Sequence, residues 1–405
     1  MINNNLFSKN RIHKKYLKNN FIKKFTKNFE QIFLKINKDM KDSKKTLNVL
    51  NKEFKFNFKI QDLKNFKKFK KIVVIGMGGS ILGTEAIYQF LENKIKKKVY
   101  FFNNLDEKQI KDFKRKEISS KVLFIIISKS GNTIETLSNT FLLNIIKKNS
   151  KNVIIISEKK NNLLFYLANK YNLFYIEHNS FIGGRYSVLS EVGVVPSYLM
   201  GINILKLRSN IRNTLIKKNK IFLKESSVKL ACIMNSKKMN NFVFLNYSPE
   251  LEKFLFWCQQ LIAESLGKNN KGFLPIISNV PKDHHSLLQL YLDGPKDKIF
   301  NIFSIEKDSK KIIRTNNLGL KSFLDKKKLS RVKFAQKNAL IKSLLKKNIP
   351  FREFKIKKIN EETLGQLFSY FIIETIIIGK LLKINPYDQP AVEQVKIFTK
   401  QILKQ

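Results

Sequence analysis

The stretch IVVIGMGGSILGTEAIYQFL, residues 72–91, reads as a strand, a glycine turn and a helix. Ile72–Ile75 is β-branched throughout, as expected of a strand covered on both faces. Gly76–Ser80 can turn tightly, and Ile81–Leu91 carries apolar residues at helical spacing. The same unit recurs downstream. Val99–Phe102 reads as a second strand, and Val122–Ile127 is wholly apolar and runs into Ser128–Asn132, with a helix expected from Thr133 to about Ile146. Val153–Ile156 and Leu173–Ile176 supply further strands around a helix near Leu163–Ala168. Beyond a charged helix around Leu205–Leu230 the pattern resumes with strand Phe242–Leu245 and a long helix, Leu251–Leu266, closed by Gly267. A strand edge at Pro275–Ile277, a short helix His284–Leu292 and strand Ile299–Ile305 follow; then come a helical stretch over 319–347, strand Phe351–Ile356 and helix Leu364–Leu382. This alternation predicts an α/β fold with two mostly parallel sheets. Ahead of them, Phe25, Phe29, Ile32, Phe33 and Ile36 predict a docking helix, while residues 1–20 read equally well as a surface arm. Pro390 opens a last helix.

Composition agrees. With 405 residues, 43% of them hydrophobic and 34 of them Phe, the chain can bury two sizeable cores, which excludes disorder for most of its length. Two cysteines, Cys232 and Cys258, provide neither a disulfide framework nor a thiolate metal cluster, and suit a reducing cytoplasm. The polar start, Met1–Asn5, is followed by no apolar signal core, and the apolar run Phe371–Ile378 is broken by Glu374, so neither secretion nor a membrane span is expected. The net charge of +47 comes from 78 basic and 31 acidic residues, but only 8 are Arg, and the 70 Lys are spread over the whole chain. That points away from a dedicated polynucleotide surface, which concentrates charge and uses Arg forks. A field of this sign favours a small anionic substrate.

Several clusters carry chemistry. Gly76-Met77-Gly78-Gly79-Ser80 lacks the sixth-position glycine of a dinucleotide fingerprint, which is Ile81 here, and no Gly-Lys-Ser/Thr follows. It reads either as an ordinary βα turn or as an anion turn with Ser80 at its end. Ser128-Lys129-Ser130-Gly131-Asn132-Thr133 repeats that geometry with three hydroxyls, which serve as helix caps or as phosphate donors. Two such turns on one sheet edge suit an anion crevice. Gln260, Glu264 and Lys268 are spaced for one helical face, as a base with its orienting neighbours or as a solvated ion-pair face. Arg185, in Gly183-Gly184-Arg185-Tyr186-Ser187, suits an oxyanion or a structural carboxylate pair. His285 can carry protons near neutral pH, whereas adjacent His284 and His285 offer no metal-binding spacing. Gln389, Glu393 and Lys396 form a polar face on the last helix.

Four of these segments in this order, GGRYSVLS (183–190), QLIAESLGK (260–268), HSLLQLYLDG (285–294) and DQPAVEQVK (388–396), resemble the glucose-6-phosphate isomerase family. The turns at 76–83 and 128–136 are similar too, so the resemblance covers about residues 70–400. It implies two phosphosugar-isomerase-type (SIS) domains with parallel-sheet αβα sandwiches and helical N- and C-terminal extensions. The expected division is a helical arm at 1–60, a first domain with the phosphate loop at 61–204, a second at 205–384 and a C-terminal helix at 385–405. The implied reaction interconverts D-glucose 6-phosphate and D-fructose 6-phosphate through a cis-enediolate, without metal or other cofactor. Carried over by motif, Glu264 is the base, Arg185 stabilises the enediolate, and His285 opens the ring with Lys396 assisting. Gln260 and Gln389 bind substrate; Ser128, Ser130 and Thr133 hold its phosphate, with Ser80 and Lys129 at the border. The histidine comes from a second subunit in such enzymes, so a homodimer with shared sites is implied, cytoplasmic and without membrane or specific nucleic acid. Residues 283–285 and Ala391 depart from the usual pattern, which leaves loop shape and substrate breadth open. A dual phosphoglucose/phosphomannose isomerase and a noncatalytic sugar-phosphate sensor are the alternatives.

Overall fold

A computed structural model describes residues 6–315, 319 and 322–405. Part of the stretch expected to be helical over 319–347, and the polar start at 1–5, lie outside the described residues. Strand β1 (Leu6–Arg11) and helix α1 (Asn19–Lys41) come first. The first αβ body then alternates β2 (Lys71–Ile75), α2 (Leu82–Phe90), β3 (Lys98–Phe102), α3 (Glu107–Lys116), β4 (Val122–Ile127), α4 (Ile134–Leu142), β5 (Val153–Ser157), α5 (Leu163–Lys170) and β6 (Phe174–Glu177). Helices α6 (Glu191–Met200), α7 (Ile204–Ser209) and α8 (Lys217–Ser236) lead to β7 (Asn241–Asn246), α9 (Glu252–Leu266), β8 (Leu274–Asn279), α10 (Leu288–Asp293) and β9 (Lys298–Ile305). The chain closes with α11 (Leu329–Lys346), β10 (Phe351–Ile356), α12 (Glu361–Leu381) and α13 (Val392–Ile402).

The first sheet is parallel throughout, in the order β3-β2-β4-β5-β6. Its centre, Val122–Ile127 beside Ile72–Ile75, is buried on both faces, as the unbroken apolar runs require. The second sheet has the order β1-β10-β9-β7-β8, parallel except for β1, which pairs antiparallel with β10. The two-sheet α/β reading therefore holds. Residues 6–11, read as arm or helix, instead close the second sheet, because the β10 edge offers free backbone groups to any extended neighbour. The charged helix expected around 205–230 is three shorter pieces.

Helix α12 is long and apolar enough to cross a membrane, yet 94% of its apolar window is buried inside the fold. It is a core helix. Phe368 meets Trp257 of α9 with ring centroids 4.8 Å apart, and a Cβ on Gly365 would lie 1.8 Å from the Leu207 carbonyl oxygen, so α7 crosses at backbone distance. Glu374, which interrupts its apolar run, is neutralised by the fully buried Arg352 at 2.6 Å and bonded by Tyr370 and Ser226. A buried charge so partnered is tolerable where an isolated one is not.

Candidate active site

The carboxyl edge of the first sheet supplies two turns. After β2, Gly78 adopts φ +52°, and a Cβ on Gly79 would sit 2.2 Å from the Gly184 carbonyl carbon. Gly79 thus lets the 76–80 turn lie directly on the 183–187 loop, and Ser187 Oγ donates to its carbonyl at 3.3 Å. Ser80, at the end of this turn, is half-buried, with its Cβ near Gly76 beside the β4 end.

After β4, Ser128 Oγ and Thr133 Oγ1 lie 2.8 Å apart, with Ser130 Oγ 3.4 Å from the latter. Gly131 turns at φ +68° against Asn162, where a Cβ would overlap the amide oxygen at 1.7 Å. Thr133 precedes α4 but makes no side-chain cap bond to it, so the helix's first-turn N–H groups are not taken by that hydroxyl. Three hydroxyls and a helix start converge here, an arrangement able to hold an anion. Lys129 reaches sideways, donating to the Ser180 carbonyl at 2.8 Å and facing Glu158 at 3.5 Å. Burial lowers its pKa, Glu158 opposes that shift, and Lys160 and Arg185 add to it.

Arg185 itself is buried and spends its whole fork. Nε donates to Ser265 Oγ (2.8 Å), and Nη1 donates to Glu264 (3.1 Å) and to Gln389 (2.5 Å). Nη2 donates to the carbonyls of Pro386 (2.7 Å) and Asp388 (3.0 Å). Glu264, on the last turn of α9, also accepts from Gln260 Nε2 at 2.9 Å, while Gln260 Oε1 is buried without a partner among the described residues. Its carboxylate side chain keeps 27% exposure, so it is held yet reachable.

Two expected helical faces do not form. Helix α9 stops at Leu266, so Lys268 leaves the Gln260–Glu264 face and binds the 385–388 turn through Asn385 O, Asp388 O and Asp388 Oδ1. That ammonium holds the Asp388 carboxyl below its ordinary pKa. Helix α13 starts at Val392, so Gln389 belongs to the preceding turn and meets Arg185, apart from Lys396. Ser265, Tyr186 and the Pro386 carbonyl complete the cluster: Tyr186 Oη bonds Ser265 Oγ at 2.8 Å and Pro386 O at 2.6 Å. None of these three has a chemical signature in sequence beyond lying next to Arg185, Glu264 and Gln389.

His285 and Lys396 stand apart. His285 is exposed, and its side chain makes no hydrogen bond among the described residues. Its turn is tied through Asp283 to Asn279 (2.8 Å), and Asn279 to Glu252 (2.6 Å), at the start of α9. At about 1.5 Å per residue, Glu264 lies roughly 18 Å further along that helix. His285 and Gln289, expected on one helix, are divided between a 3-10 turn and α10. Lys396 is 57% exposed and pairs with Glu393 at 2.6 Å, on a helix that buries none of its residues.

Comparison with known proteins adds three findings. The family model described as phosphoglucose isomerase matches residues 27–405. A glucose-6-phosphate isomerase of Methanocaldococcus jannaschii is 33% identical over 364 residues, 84% of this chain and 86% of that one; a probable glucose-6-phosphate isomerase of Methanococcus maripaludis is 34% identical, over 82% and 78%. The fold is similar to that of a hypothetical protein from Thermus thermophilus, with a TM-score of 0.76 at 22% identity over 96% of this chain and 99% of that one. It is also similar to a glucose-6-phosphate isomerase from Chlamydia trachomatis, with a TM-score of 0.71 at 20% identity over 84% and 71%.

Proposed function

The chain belongs to the phosphoglucose isomerase family, and from that premise we propose that it interconverts D-glucose 6-phosphate and D-fructose 6-phosphate through a cis-enediolate. The observation that carries the reading is Glu264, partly exposed and held by Arg185 and Gln260. An ionised carboxylate so positioned takes the proton from C2 of the open-chain aldose. The bonding pair moves to form C1=C2 and charge develops on O1; the O2 hydroxyl proton passes to O1, and the same carboxyl returns its proton to C1 as the C1=C2 pair moves to C1 and O2 becomes the ketone. Arg185, beside Glu264, opposes the developing oxygen charge, and its buried fork costs no reorganisation at that moment. Gln260, with a spare buried acceptor, and Gln389 bind sugar hydroxyls. Ser128, Ser130 and Thr133 hold the phosphate, with Ser80 and Lys129 at its border, supplying binding energy remote from the reacting carbons.

His285 opens the ring, assisted by Lys396, and it comes from a second copy of the chain. The long separation of His285 from Glu264 within one chain supports this, as does a last helix exposing Val395, Phe398 and Ile402. The working unit is a homodimer, each chain divided near 60, 204 and 384. No protein-bound metal or cofactor enters the scheme.

The test is Glu264→Gln in a coupled assay from fructose 6-phosphate, together with solvent-hydrogen exchange at C2. Turnover and exchange should both fall by about 10²–10⁴ while phosphate affinity holds. Near-normal exchange would refute the base role.

A further inference from the structure

The two sheets share a topology that the proposed reaction uses only once. In the first, β2 and β4 are neighbours whose connections leave in opposite directions, and the crevice at that switch point bears the Ser128–Thr133 loop. In the second, β7 and β9 stand in the same relation. Directly beyond their carboxyl ends lies a cavity of about 680 Å³, lined by Tyr247–Ser248 after β7 and by residues 304–308 at the end of β9. That volume is of ligand-pocket size.

The lining is strongly cationic. Seven of its fifteen residues are Lys or Arg, against the carboxylates of Glu306 and Asp308, and Asp308 is already paired with Lys328. Ser330, Lys333, Phe334 and Lys337 recur at three- and four-residue spacing, so one face of α11 forms a wall. Lys337 is 4% exposed and donates to Ser304 Oγ at 3.0 Å, with Glu353 at 3.3 Å behind it. Ser248 Oγ accepts from Ile305 N at 2.9 Å, and Ser304 Oγ accepts from Lys337, so both hydroxyl protons remain to be given. A buried ammonium, two buried hydroxyls and a rim of Lys327, Arg331 and Lys333 together match a phosphate dianion.

We propose that this cavity is a second binding site, for a phosphomonoester of the sugar-phosphate class, outside the Arg185–Glu264 cluster. Equivalence to the Ser128–Thr133 loop rests on the phosphate reading given above; the cavity and its charge stand without it.

The test is titration of the full chain with inorganic phosphate by calorimetry, in native protein and in Lys327→Glu/Lys333→Glu. Native protein should bind two phosphates per chain and the rim variant one, or a second at least about tenfold weaker, with isomerase turnover unchanged. Lys64→Glu/Lys148→Glu, with the same change in net charge on distant exposed residues, should still bind two. Fructose 6-phosphate should displace phosphate from the second site, and unphosphorylated fructose should not. A single phosphate in native protein that the rim variant retains, two equal sites surviving in the rim variant, loss of a site in the distant variant, or failure of fructose 6-phosphate to compete each overturns the proposal; a single phosphate that the rim variant loses overturns the Ser128–Thr133 reading instead. Because isomerase turnover is read separately, failure here leaves the Glu264 assignment untouched.

Discussion

Arg185→Lys tests how the active-site cluster is held. The guanidinium makes five hydrogen bonds, three of them to the Pro386–Gln389 turn. An ammonium at that position is a point charge that can keep Glu264 and one neighbour, so at least two bonds to the turn are lost. At a net 1–1.5 kcal/mol each, the turn is loosened by about 2–3 kcal/mol. Each 1.4 kcal/mol is a factor of ten, so the opened turn should become about 30–140 times more populated. Hydrogen exchange followed by mass spectrometry reads this directly: amides of Tyr387, Asp388 and Gln389 should exchange faster by that factor, while β4 and α12 stay protected. Turnover should fall by about a hundredfold, since the charge that opposes the enediolate is displaced. A folded variant whose 387–389 amides exchange at the native rate would show that Arg185 does not tether the turn. Lys268, which grips the same turn through Asn385 and Asp388, and Tyr186, which bonds the Pro386 carbonyl, would then carry it.

Two further outcomes follow from local geometry. Gly79→Ala would place a methyl 2.2–2.6 Å from Gly184 and Arg185 backbone atoms, so it should push the arginine loop away and cut turnover by tenfold or more, seen in the coupled assay with the chain still folded. His178, fully buried with Nδ1 unpartnered among the described residues and its pKa pulled down to about 4 by desolvation and by Lys129, stays neutral when folded but charges near pH 6.5 when unfolded. Stability is therefore complete above pH 6.5 and declines as pH falls toward 4, by roughly 3 kcal/mol; denaturation midpoints of His178→Gln should show a flatter decline over that window.

The apolar runs Ile72–Ile75 and Val122–Ile127 and the glycine turn after the first were legible because a strand buried on both faces favours apolar residues along its whole length. The hydroxyl-rich turn at 128–133 was equally plain, since a loop after a strand announces itself by small and polar residues. Leu6–Arg11 was not, because an edge strand needs only one partner and tolerates Lys, Asn and Arg along its length. Spacing also misled where helices end: Lys268 and Gln389 fit a four-residue repeat that the backbone abandons at Leu266 and takes up only from Val392.

Residue types and local periods thus specify two parallel sheets, their turns and a set of chemically capable side chains. Which of those side chains meet is a matter of packing. Arg185 reaches Glu264 across 79 residues and Gln389 across 204, and no local period encodes such distances. Gly79 lets two loops touch, Arg185 binds α9 to the 386–389 turn, and the turn before His285 is anchored through Asn279 at the end of α9 opposite Glu264. Such contacts arise when separate apolar faces are buried together, which no short window of sequence contains.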